Sequence, residues 1–168
     1  MAGALILTAE LGPVDKAWFD RLRRTHFPPE RNQLPAHLTI FHALPPSAEA
    51  ELRTRLSRLA ACPAPKARCE GLMNLGGGVA FRIASGDLDR IRNELSEAFH
   101  GSLVAQDASG WRPHITIQNK VAPKVARALL QQLESQFISR PVEIAGLGLH
   151  RYLDGPWETL AVYPFRGR

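Results

Sequence analysis

Apolar residues recur along the chain with two periods, and the changes of period mark out the elements. Ala4 to Leu11 is a short apolar run closed by Gly12-Pro13, the pattern of a strand entering a turn. From Val14 to Phe27 the apolar positions Val14, Ala17, Trp18 and Leu22 fall at helical spacing until Pro28-Pro29 ends them. Residues 28–36 carry three prolines and read as a loop. His37 to Leu44 alternates as a strand does and stops at Pro45-Pro46. Ser47 then stands as a candidate cap for a helix to Ala61, with Ala50, Leu52, Leu56, Leu59 and Ala60 as its stripe.

Two further strands, Ala67–Leu75 and Val79–Ser85, flank Gly76-Gly77-Gly78, where glycine allows the positive φ of a tight reversal. Asp87 is placed to cap a third helix to Phe99, with Leu88, Ile91, Leu95 and Ala98 on one side. Residues 100–112 read as loop. His114 to Val121 alternates again, and Pro123 opens a fourth helix to Phe137. Val142–Arg151 and Glu158–Phe165 predict a closing hairpin around Asp154-Gly155-Pro156.

Taken in order, these elements repeat: strand, helix, strand opening with His-x-Thr-Ile, helix, strand, then the same series again. His37 and His114 each start an alternation, Pro46 and Pro123 bound the helices that follow, and Gly71-Leu72 and Gly146-Leu147 lie in the strands after those. The predicted fold is α+β, a bilobal duplicated unit whose equivalent positions face each other about a pseudo-two-fold axis. That symmetry would bring His37 and His114 into one cleft. Alternation points His37 and Thr39, and likewise His114 and Thr116, to one face, and their apolar neighbours to a helix-covered core.

The six histidines and six threonines would give about 0.2 His-x-Thr pairs by chance. Two imidazoles near neutrality can act as one general base and one general acid, which suits phosphoester chemistry. The hydroxyls of Thr39 and Thr116 can donate to non-bridging phosphate oxygens. No cofactor and no metal are expected. Neither motif has a carboxylate beside it for a hard cation, and a two-histidine site would need a third ligand.

The 168 residues, 45% hydrophobic and 22% charged, exclude a disordered or fibrous chain and fit a single domain over 1–168. A net charge of +5 favours an anionic partner. The apolar opening Met1–Ala9 is about half a membrane span and follows no basic residue, so the reading is a cytoplasmic protein with no membrane partner; a monomer is expected. Cys62 and Cys69 have neither disulfide nor zinc spacing and read as inert thiols.

With His37-Leu38-Thr39-Ile40, His114-Ile115-Thr116-Ile117, Arg112-Pro113 before the second motif and the duplicated layout, nearly the whole chain resembles the 2H phosphoesterases. Within them it is similar to the bacterial RNA 2′,3′-cyclic phosphodiesterases, also called 2′-5′ RNA ligases. The resemblance implies two antiparallel sheets forming a concave cleft with helices outside. It also implies metal-independent opening of a cyclic phosphate, or cleavage of a 2′-5′ phosphodiester, at an RNA 3′ end or a small nucleotide. Carried over, His37 would be the general acid, His114 the general base with its water, and Thr39 and Thr116 the phosphate clamps. Leu34-Pro35-Ala36 stands where many relatives have an arginine and proline.

Phe41 falls on the cleft face by alternation and could stack on a base, although core packing is the commoner role of Phe. Trp111 is placed for base stacking at the rim or for loop packing. Arg112 could contact phosphate or lie free at the surface. His42 points away from His37 and reads as a packed or capping residue. His26, His100 and His150 share no ligand spacing, and Arg151 and Tyr152 read as hairpin residues. The rival functions are a non-catalytic RNA-binding module using the same cleft and a two-histidine metalloenzyme.

Overall fold

The computed structural model describes residues 3–168; Met1 and Ala2, which open the apolar run to Ala9, lie outside the described residues. Seven strands, β1 (Leu5–Leu11), β2 (Leu38–Leu44), β3 (Lys66–Asn74), β4 (Val79–Ala84), β5 (His114–Gln118), β6 (Arg140–Tyr152) and β7 (Trp157–Pro164), all pair antiparallel. The helices are α1 (Pro13–His26), α2 (Glu49–Ala60), α3 (Gly86–Ala98), α4 (Ala105–Ala108) and α5 (Pro123–Glu134). None is long and apolar enough to cross a membrane.

Long β6 joins two sheets. Its first residues, Arg140–Glu143, pair with β3, and its remainder lies between β1 and β7. One lobe therefore runs β2-β1-β6-β7 and the other β5-β4-β3-β6, with the two His-x-Thr strands as the outer edges, β2 in one lobe and β5 in the other. This is the expected bilobal α+β architecture. Helices α1 and α5 pack against the β3–β5 lobe, and α2 against β6 and β7. A continuous core of fully buried Leu5, Leu7, Phe19, Leu38, Ile40, Leu52, Leu88, Ile115 and Leu149 lies between sheets and helices.

The duplication extends to a bulge. In the β1–β2 ladder Thr8 faces Thr39 but Leu7 faces Phe41, one residue out of step. In the β4–β5 ladder Ala80 faces Thr116 but Val79 faces Gln118, with the same slip. Each bulge sits immediately after the His-x-Thr and turns the residue two beyond the threonine into the core. Phe41 and Gln118 are accordingly buried, at 0% and 3% exposure.

Several local readings need correction. The buried side of α1 includes Asp15, Phe19 and Arg23, whereas Val14 is 76% exposed and Ala17 is exposed too. Two polar side chains there satisfy backbone groups that apolar periodicity cannot reveal. Ser85, rather than Asp87, caps α3, accepting from Leu88 N at 3.1 Å, while Asp87 accepts from Lys66 N. Ser47 makes no cap bond and lies in a 3-10 turn, so α2 starts at Glu49. The segment 100–112 contains a 3-10 turn and the short α4.

Candidate active site

His37 stands one residue before β2, and His114 is the first residue of β5. The two rings are held in the same way. His37 Nδ1 meets Pro35 O at 2.8 Å, and His114 Nδ1 meets Arg112 O at 2.7 Å. A carbonyl can only accept, so Nδ1 carries a proton in both rings, and in the neutral form of either ring the lone pair lies on Nε2. Because the bond to His37 is made by backbone, the absence of an arginine before Pro35 does not alter it. Asp20 of α1 fixes the same loop by accepting from Ala36 N.

The free edges of β2 and β5 would expose unpaired carbonyls beside the motifs. Two buried arginines fill them reciprocally. Arg23 of α1, 4% exposed, donates to Thr116 O at 2.8 Å and to Asn32 Oδ1 at 3.1 Å. Arg92 of α3, 7% exposed, donates to Ile40 O at 3.0 Å and lies over the Phe41 ring. Each arginine comes from one repeat and secures the motif strand of the other. Trp111 Nε1 donates to Thr39 O at 3.1 Å, and the Asp107 carboxylate accepts the N–H groups of His42 and Ala43.

Two recesses flank the histidines. One, of about 220 Å³, brings together Thr39, His42, Met73, Trp111, Arg112 and His114. The other, of about 140 Å³, is lined by Thr8, Glu10, Lys16, His37, His150 and Trp157. A larger apolar cavity of about 490 Å³ between α1 and α5 is lined by Trp18, Phe81 and Phe137, and it contains no acid–base pair. Among the described residues no three His, Cys, Asp or Glu side chains are grouped as a metal ion would require.

The His37 ring shows part of its surface to solvent, yet Trp157 crowds it at 4.8 Å between ring centroids. Burial pushes its pKa down to about 4; the bond to Pro35 O opposes this, and the charges of Arg23, His150 and His114 add to it. His37 is therefore neutral at pH 7 in the free protein. His150 is buried between Thr8 Oγ1 at 2.9 Å and Thr159 Oγ1 at 3.0 Å, and burial lowers its pKa against the pull of Glu10.

A model of the 2′-5′ RNA ligase superfamily matches residues 12–156. The chain belongs to the 2′-5′ RNA ligase superfamily. Superfamily membership supports a phosphodiesterase-type activity. In fold, the chain is similar to TT0787 of Thermus thermophilus, with TM-score 0.68, 18% identity and coverage of 98% of this chain and 99% of that one. It is also similar to E. coli LigT in complex with 3′-AMP, with TM-score 0.61, 18% identity and coverage of 98% and 99%. A structure described as a phosphoesterase has TM-score 0.60 at 18% identity, over 97% and 98% of the two chains. No curated protein sequence matches the chain.

Thr39, Thr116, His37 and His114 all keep partial solvent exposure. Arg112 is exposed beside His114, and Trp111 is half-buried with its N–H committed to the β2 edge. Phe41 is not in the cleft: the bulge turns it beneath Arg92, and it cannot meet a base. The same bulge brings His42 to the cleft side, contrary to simple alternation, where its ring meets Asp107 at 3.1 Å. The sequence reading passes over Glu10, Lys16 and Trp157 and assigns His150 no role. The signal for His150 was its period-two spacing from Gly146 and Gly148, which puts all three on one face of β6.

Proposed function

We propose that the protein opens 2′,3′-cyclic phosphates, or cleaves 2′-5′ linkages, of RNA ends or small nucleotides by two-histidine acid–base catalysis without a metal. The observation carrying this reading is the matched pair of imidazoles, each with Nδ1 tied to the carbonyl two residues back and Nε2 free. Water attacks phosphorus as His114 Nε2 takes its proton. The bond from phosphorus to one ribose oxygen breaks, and His37, protonated at Nε2, delivers a proton to that oxygen, leaving a phosphomonoester and a hydroxyl. Thr39 and Thr116 donate to the non-bridging oxygens as charge grows on them. The complexes of E. coli LigT with 3′-AMP, NADP+ and ATP support a nucleotide as the ligand class. The direct test is turnover of a 2′,3′-cyclic mononucleotide by pure protein in EDTA. Full activity is the expected result, and its loss on chelation would transfer the chemistry to a metal.

The neutral state of His37 makes a second expectation. As a general acid it must gain its proton with the substrate, whose anionic phosphate offsets the neighbouring cations. Adding a nucleoside 3′-phosphate at pH 6 should protonate His37, visible as a shift of its Nε2 resonance in ¹⁵N NMR. An unchanged resonance would contradict this coupling. The sign for stability follows from the same shift. An unfolded His titrates near 6.5, so it binds protons that folded His37, at about 4, does not. This residue's contribution therefore declines as pH falls from about 6.5 towards 4.

A further inference from the structure

The strand registers place one charged residue at the same position in each lobe, and the charges are opposite. In one lobe His114 faces Arg82 on β4, and Arg82 faces Gly71 on β3. In the other, the pairing of Ala9 with Leu38 puts Glu10 on β1 beside His37, and Glu10 faces Gly146 on β6. Each row thus reads histidine, charged residue, glycine, and the two glycines are those of the repeated Gly-Leu. Gly71, and on β6 Gly148 two residues beyond Gly146, leave room for the charged chains to lie flat. A Cβ on Gly71 would come within 3.0 Å of an Arg82 guanidinium nitrogen, and one on neighbouring Gly148 within 2.8 Å of Glu10 Oε1. A symmetric scaffold with opposite charges at equivalent places can accept a substrate in only one direction.

We infer that Arg82 is a specificity-determining residue that binds a second phosphate of the substrate, the one next along the nucleotide from the scissile group. Its side chain is 49% exposed. It donates to Glu70 O at 3.3 Å, and the nearest carboxylate, Glu70, is 3.8 Å away, beyond a hydrogen bond, so further guanidinium N–H groups are open to an anion. Arg82 lies one strand, about 4.8 Å, inward from His114 and leans across β3. That is the place of the neighbouring anionic group rather than of the reacting phosphorus. Glu10 repels a phosphate at the corresponding place beside His37, so the phosphate-bearing end lies over the β3–β5 lobe. Glu10, already accepting from Thr8 Oγ1, is left to meet hydroxyl or amine donors.

The inference rests on the phosphodiesterase reading of the cleft, and affinities test it. Isothermal titration compares a nucleoside 3′-monophosphate with the 3′,5′-bisphosphate on the wild type, Arg82→Gln and Glu10→Gln. Arg55→Gln, on α2 and paired with Glu51, serves as control. The wild type should prefer the bisphosphate about tenfold, the scale of one charge-assisted bond at a half-exposed position. Arg82→Gln should bring the ratio to about one, while Glu10→Gln and Arg55→Gln keep the preference. An equal affinity of the wild type for both nucleotides, or a ratio that survives in Arg82→Gln, overturns the inference. If cyclic mononucleotide is nevertheless turned over, only this inference falls. If neither nucleotide binds and nothing is turned over, the functional reading falls with it.

Discussion

Replacing His114 with alanine is expected to lower kcat/KM for a 2′,3′-cyclic nucleotide by about 10²–10⁴, the usual contribution of one positioned proton transfer. His37→Ala should lose a comparable factor. The double variant should lose little more than the worse single one, because the two rings act in one step and neither works well alone. Both rings are partly exposed and make a single bond each to backbone, so the variants should remain folded and the loss should appear in rate. Leaving-group chemistry then separates the roles. A substrate that expels 4-nitrophenolate needs no proton on the departing oxygen. His37→Ala should recover most of its rate on such a substrate, and His114→Ala should not. The opposite pattern would exchange acid and base, and full rates from both variants would remove the site from these residues.

Where the chain followed simple periodicity, its fold was legible. The two alternations opening with His-x-Thr and the Gly-Leu repeat mark real equivalences between the lobes, and the triple glycine turns β3 into β4 as its pattern implies. What could not be read was decided by side chains serving backbone groups far away in sequence. Arg23 and Arg92 sit at interior positions that apolar patterning assigns to hydrophobic residues, because each fills an unpaired carbonyl on the other repeat's edge strand. Phe41 and His42 exchanged faces because a bulge adds one residue to the ladder, and nothing in the spacing of Leu38, Ile40 and Leu44 announces it. His150 and Trp157 joined the cleft through β6 pairing with β1 and β7, a contact set by topology rather than by local sequence.

The free edge of β2 makes the strongest prediction for stability. Asp107, with its side chain 1% exposed, accepts from His42 N at 2.9 Å, from Ala43 N at 2.9 Å and from the His42 ring at 3.1 Å. Asp107→Ala strands two part-buried backbone donors, each costing about 1–3 kcal/mol when water cannot replace the acceptor, so urea unfolding should show a loss of about 2–5 kcal/mol. Asp107→Asn keeps one acceptor oxygen and should lose less. Burial alone would raise the Asp107 pKa, but the His42 ring and the two backbone donors outweigh it and hold it below the usual carboxylate value. Its contribution is therefore complete above the unfolded carboxylate pKa, about 3.9, and disappears as pH falls through the lower folded value. In the Asp107→Ala protein that acid-dependent step should be missing from a pH series of unfolding curves. Because Arg92 binds Asp107 O and Trp111 reaches Thr39 O, the same substitution loosens the loop that carries Arg112 into the cleft. Activity should fall along with stability. If Asp107→Ala lost under about 1 kcal/mol, at the low end of the cost of one orphaned donor, the β2 edge would have to be held by Arg92 and Trp111 alone.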